Sequence, residues 1–100
     1  MFTVTAQDGA GRRRVRVSGE VDMATADAMY AAATGPSSDG PLHGVTLDLT
    51  AVTFFDSAAV HALIRIAHAN RGTLRVLPSP QVCQVLNIAG LGGQPWLDTP

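Results

Sequence analysis

The stretch that decides the fold is residues 45–72, VTLDLTAVTFFDSAAVHALIRIAHANRG. Its opening, Val45-Thr46-Leu47-Asp48-Leu49-Thr50, alternates apolar with polar residues, the period of a strand with one buried face. From Ser57 the period changes. Val60, Leu63, Ile64 and Ala67 recur at helical spacing, Arg71 falls in the last turn, and Gly72 stands where the left-handed C′ residue of a helix belongs. Ser57 is predicted to be the N-cap. A strand followed by an amphipathic helix is the start of a βαβ unit, which sets the class as α/β.

Working outward, Thr73-Leu74-Arg75-Val76-Leu77 is a further strand, and Ser79-Pro80 opens another helix with Pro at its first position. Val82, Val85, Leu86 and Ala89 are its inward residues and Gly90 closes it. Gly92, Gly93 and Pro95 leave Trp96 and Leu97 only an edge segment. Upstream, residues 34–44 form a loop in which Gly35-Pro36-Ser37-Ser38-Asp39-Gly40-Pro41 crowd turn formers together. Before it, Thr25 is placed as the N-cap of a helix carrying Ala26, Met29, Tyr30 and Ala33 on one face. Phe2-Thr3-Val4-Thr5 and Val15-Arg16-Val17-Ser18 alternate on either side of Asp8-Gly9-Ala10-Gly11, a β-hairpin. The predicted order is β-β-α-β-α-β-α: a mixed β-sheet with an N-terminal hairpin and helices covering it, one domain over residues 1–100.

Composition narrows the function. A chain of 100 residues with 46% hydrophobic residues and a formal charge of -1 is too apolar for disorder and too neutral for a general polyanion binder, which argues against nucleic acid. All the basic residues are Arg, and Arg12, Arg13, Arg14 and Arg16 cluster on the hairpin, where they read as a solvated surface. Cys83 is the only cysteine, so no intramolecular disulfide can form, and its expected role is packing. The start lacks a signal peptide and no apolar run is long enough to span a bilayer, so the expectation is a cytoplasmic protein without direct membrane insertion.

Catalytic readings find little to stand on. Ser57 and His61 are one helical turn apart, but no Gly-x-Ser-x-Gly elbow surrounds them. His61 and His68 are separated by two turns, roughly 10 Å, too far to share one zinc ion. Asp22 and Asp56 are expected to cap loops, and Asp48 to accept hydrogen bonds from a neighbouring segment. No Gly-x-x-x-x-Gly-Lys loop occurs. The expectation is a binding module with no enzymatic activity, no metal and no cofactor.

Three stretches, Gly19-Glu20-Val21-Asp22, Leu47-Asp48-Leu49-Thr50 through Phe55-Asp56-Ser57, and Val85-Leu86-Asn87-Ile88-Ala89-Gly90-Leu91, together resemble the STAS family of sulfate transporter and anti-sigma factor antagonist domains. The resemblance implies a partner-switching module. Unphosphorylated, it binds an anti-sigma factor, an ATP-using serine kinase, and so releases a sigma factor; phosphorylation at Ser57 switches it off, and a phosphatase would reset it. The partner-binding residues are then Asp22, Asp56, Ser57, Ala58, Ala59 and His61. Where the family continues with a small hydroxyl residue and Gly-Leu, this chain has Ala58-Ala59-Val60, so a partner is expected to meet the methyl of Ala59 and the ring of His61. The alternative within the same family is a constitutive subunit supporting a transporter or other regulatory complex, without phosphorylation and with Ser57 acting only as a cap. The family commonly ends in a further helix, and the short tail here is expected to leave Val85, Leu86 and Trp96 as an apolar surface for a second copy of the chain.

Overall fold

A two-residue turn starts the architecture. Ala10 and Gly11 both take positive φ, 54° and 76°, the pair of left-handed conformations that a tight hairpin turn requires. Around it, in the computed structural model, which describes residues 1–37 and 40–98, β1 (Thr3–Gly9) and β2 (Arg12–Val21) pair antiparallel, with Val4 opposite Val17 and Asp8 opposite Arg13. β2 lies parallel to β3 (Gly44–Phe55), and β3 parallel to β4 (Leu74–Pro78), giving the sheet order β1-β2-β3-β4. α1 (Ala26–Thr34), α2 (Ser57–Ala69) and α3 (Pro80–Ile88) follow β2, β3 and β4 in turn. This is the β-β-α-β-α-β-α order expected from the sequence. Ser38 and Asp39 of the predicted loop lie outside the described residues. Among those described, no helix is long and apolar enough to cross a membrane.

The core gathers on one face of the sheet. Val15, Val17 and Val21 of β2, Val45, Leu47, Leu49, Val52 and Phe55 of β3, and Leu74 and Val76 of β4 are buried with Met29, Leu63, Ile66, Val82 and Leu86 from the helices. On β2, Arg12, Arg14 and Arg16 point the other way, into solvent. The core positions of β3 are spaced by two residues up to Leu49 and by three afterwards. The β2–β3 register shifts between Arg16 and Ser18 and again between Gly19 and Glu20, and each extra residue on β3 carries the next apolar side chain back to the core face. The strand therefore continues to Phe55, five residues past the alternating segment that announces it.

The structure corrects the buried face of α2. Its fully packed residues are Ala59, Ala62, Leu63 and Ile66, while Val60, Ile64 and Ala67 sit half-buried at the margin. The buried stripe includes two alanines and is rotated by about one position from the one defined by bulk. The cap moves as well. Asp56, in extended conformation, is the N-cap and accepts from the Ala59 N–H at 2.9 Å, which makes Ser57 the first helical residue. Thr25 occupies the N-cap of α1 without a side-chain capping bond. α3 opens as expected, with Ser79 accepting from the Val82 N–H at 3.2 Å and Pro80 following it, and its Val82 and Leu86 are buried, but Ala89, expected to face inward, is its exposed C-cap. Its far end closes with Leu91 N–H to Leu86 O (2.8 Å) and Gly90 N–H to Asn87 O (3.1 Å), with Gly90 at φ 80°, a Schellman motif. Leu86 is completely buried, so it leaves the apolar surface assigned to the tail. The tail itself runs beside β4: Val76 N–H donates to Trp96 O and Asp98 N–H to Val76 O, which seats Leu97 in the core.

The arginine cluster is not uniformly solvated. Arg13 shares the inward parity of Val15 and Val17 and is only 5% exposed. Its guanidinium makes a two-pronged contact with Asp8, Nε to Oδ1 at 2.7 Å and Nη2 to Oδ2 at 2.9 Å. It also donates to the carbonyls of Ala32, Gly35 and Pro36 at the end of α1. α1 has no basic residue in its last turn, so the positive charge its carbonyl end favours comes from β2 instead. The Asp8 hydrogen bond holds Arg13 above its ordinary pKa against the opposing effect of burial, and the same bond lowers that of Asp8.

Candidate functional site

Because β2 and β3 are parallel, the loops that leave them emerge at the same end of the sheet. Val21 pairs with Phe55, and the Asp56 N–H donates to Val21 O at 3.3 Å, joining the two loops. The β2–α1 loop is organised by its own aspartate. Asp22 Oδ1 accepts from Ala24 N–H at 2.9 Å, and the Thr25 hydroxyl accepts from Asp22 N–H at 3.0 Å. That hydroxyl also lies within hydrogen-bond distance of Glu20 O (3.1 Å) and Asp22 Oδ1 (3.2 Å). Asp22 is thus half-buried and spent on its loop, and Asp56 is spent on the cap of α2. Both aspartates hold the backbone as the sequence predicts.

These bonds leave Ser57 free to face outward. It is exposed at the first position of α2, and His61, one turn later, is exposed on the same helix. Ala58 is half-buried between them. Ala59 is the correction: its methyl is 0% exposed and packs in the core, pinned by the N–H that Asp56 caps. It offers nothing to a partner's surface. Of the first-turn donors, Ala59 N–H is taken by the Asp56 side chain and Val60 N–H by the Asp56 carbonyl. The Ser57 and Ala58 N–H groups accordingly remain open to an anion at the positive end of the helix. Asp22 and Asp56 place two carboxylates on the adjoining loops, while Glu20 is paired with the Met1 amino group at 3.0 Å.

Two apolar side chains at this end were not singled out from the sequence. Met23 is 83% exposed on the β2–α1 loop, and Phe54 is 50% exposed at the end of β3. The signal for Phe54 was present: neighbouring residues of a strand point to opposite faces, so the Phe54-Phe55 pair must present one ring to each. Met23 carries no comparable mark. Asp48, by contrast, lies away from this surface. It is 6% exposed on the outward side of β3 and accepts from Thr50 N–H (3.0 Å), Thr50 Oγ1 (2.6 Å) and Arg14 (3.1 Å), with Arg16 at 3.7 Å. Burial pushes its carboxyl up, but the bonds from Thr50 and Arg14 outweigh it and hold the pKa below the ordinary carboxylate value. Among the described residues, no three His, Cys, Asp or Glu side chains gather in a way that could hold a metal ion.

Comparison with known proteins places this geometry. An anti-sigma factor antagonist from Mycobacterium paratuberculosis superposes with a TM-score of 0.82 at 27% identity, over 100% of this chain and 87% of the other. The anti-sigma factor antagonist SpoIIAA in its unphosphorylated form gives a TM-score of 0.70 at 24% identity, over 98% and 86% of the two chains. A sulfate transporter family protein from Wolinella succinogenes gives 0.70 at 19% identity, over 89% and 77%. The latter two speak to fold alone. No curated protein matches the chain. The family model described as "Mlab, STAS domain" matches residues 4–98, and with nearly its whole length so matched the chain belongs to the STAS family.

Proposed function

We propose that this STAS domain is an anti-sigma factor antagonist acting in the cytoplasm, a binding module whose unphosphorylated form captures an anti-sigma factor kinase and so frees a sigma factor. The observation that carries the reading is the position of Ser57: exposed at the start of α2, with the capping role taken by Asp56. In the modification step the Ser57 oxygen attacks the γ-phosphorus of the partner's ATP. The new O–P bond forms as the bond to the bridging oxygen breaks, ADP departs, and the hydroxyl proton passes to a base of the kinase. A phosphate at this point meets the open N–H groups of Ser57 and Ala58, so the helix tolerates it. The interface does not, because about -1.5 to -2 charges arrive on a surface already bearing Asp22 and Asp56. Asp22, Asp56, Ser57, Ala58 and His61 form the contact surface, with exposed Met23 and Phe54 as its apolar anchors. A partner complementary to it presents an apolar recess with basic groups around it.

The likeness at 27% identity to an anti-sigma factor antagonist supports this reading. A sulfate transporter family protein of the same fold is compatible with the second one, a constitutive subunit of a transport complex in which Ser57 is never modified. Pull-down from the native host with wild-type and Ser57→Asp protein, analysed with the intact mass of the wild type, separates them. The antagonist reading expects a phosphorylated fraction, a kinase among the captured proteins, and at least about thirtyfold weaker capture by Ser57→Asp, the equivalent of about 2 kcal/mol. Unmodified protein and equal capture of transporter components by both forms would establish the constitutive reading.

A further inference from the structure

At the opposite end of α2 from Ser57, a cavity of about 480 Å³ opens between the last turns of that helix, the start of β4 and residues 91–96. Ile64, Ala67, Leu74, Leu91 and Trp96 form apolar walls, and His68 and Arg71 stand at its edge. We infer that this cavity is a binding site for a small amphipathic carboxylate, its apolar body lying against Trp96 and its carboxylate facing Arg71. The volume falls within the ordinary range of small-molecule pockets, about 300–1,000 Å³.

Charge selects the anion. The chain as a whole carries more acidic than basic side chains, yet the cavity lining includes Arg71 and His68 and neither Asp nor Glu. Most of the arginines are already committed: Arg13 to Asp8, Arg14 and Arg16 to Asp48, Arg75 to Asp98, and Arg65 to the Tyr30 ring. Arg71 makes no hydrogen bond or ion pair among the described residues. A guanidinium beside an apolar recess can pair with a carboxylate whose hydrocarbon is simultaneously removed from water. Of the three residues expected to form an apolar surface for a second copy, Trp96 alone lines this cavity.

Trp96 is the only tryptophan, so its fluorescence reports on the cavity directly. The test titrates the whole chain with decanoate below its micellar concentration, beside decanol and decyltrimethylammonium, and follows Trp96 emission, with sedimentation velocity at the same protein concentrations. Saturable blue-shifted emission with decanoate, a weaker response to decanol and none to the cation are expected. Arg71→Gln, an exposed change, should weaken decanoate about fivefold, and Ala67→Phe, which fills the recess, should abolish binding with unchanged circular dichroism. The inference is overturned by equal response to all probes, by no saturable response, by Arg71→Gln binding as tightly as wild type, or by an emission shift that follows dimer formation instead of decanoate.

Discussion

The two ends of β2 use charge in opposite ways. Near its start, Arg13 is buried and its guanidinium is committed to Asp8 and to three carbonyls at the end of α1. Beyond its other end, Asp22 and Asp56 turn their carboxylates onto local N–H groups, and what remains outward is a hydroxyl at Ser57 and the side chains of Met23 and Phe54. One end spends a long side chain on tying a hairpin to a helix. The other spends short ones on fixing two loops, so that the groups between them are held in place yet unengaged. A rigid frame around an exposed, unengaged group is what a recognition surface requires, since little ordering entropy is then lost on binding.

The largest effect should come from the buried end. Arg13→Ala removes a buried guanidinium and leaves the α1 carbonyls without their donor, a loss of about 3 kcal/mol. In urea the midpoint should fall with the slope unchanged. Arg13→Lys should recover only part of the loss, because an ammonium cannot reproduce the planar fork that meets Asp8 and the carbonyls together. The exposed neighbour supplies the control: Arg12→Ala should change stability by less than about 0.5 kcal/mol. Equal midpoints for the two alanine variants would remove the contrast drawn above.

An intermediate effect belongs to Asp48, on the outward face between the two ends. Its folded pKa is depressed, as is that of Asp8, so the unfolded chain takes up these protons first as the pH falls. The stabilisation is therefore present above the unfolded carboxylate value of about 3.9 and is lost as the pH drops through the folded values. Asp48→Asn should cost about 2 kcal/mol at neutral pH, and the gap to wild type should close on acidification, measured as urea midpoints across the acid range. A gap independent of pH would mean that the carboxylate charge contributes nothing there.

Much of this arrangement was legible in the sequence, and the misses share a cause. The hairpin turn, the Ser79-Pro80 opening and Gly90 closure of α3, and the alternation of residues 45–50 each depend on neighbours along the chain, and each appears as read. Arg13 required one further step, counting parity back from Val15, which places it on the core side. The second half of β3 could not be read by alternation because two register shifts move its apolar residues to a spacing of three. The buried face of α2 depends on how the helix is rotated against its neighbours, a property of the packed structure that places Ala59 and Ala62 inward of the bulkier Val60 and Ile64. Ser57 is not the cap, and the sequence does not decide between the two, since Asp and Ser are about equally good caps and only the extended backbone of Asp56 distinguishes them.

That distinction yields the smallest of the expected effects and the one that bears most directly on the exposed end. If Asp56 is the cap, Asp56→Ala leaves the Ala59 N–H without its acceptor and removes a negative charge from the positive end of α2, costing about 1 kcal/mol. Asp56→Asn keeps an acceptor and loses only the charge, so it should cost less. Ser57→Ala removes a hydroxyl that makes no capping bond and places a good helix former at the first helical position, so stability should stay within about 0.5 kcal/mol of wild type. Thermal melts of the three variants decide the matter. Should Ser57→Ala prove more costly than Asp56→Ala, the hydroxyl is engaged in holding the helix and is not available as drawn. With the predicted order, Ser57→Ala becomes a clean functional probe, and any change it brings in phosphorylation or partner binding is attributable to the lost hydroxyl, because the helix beneath it is undisturbed.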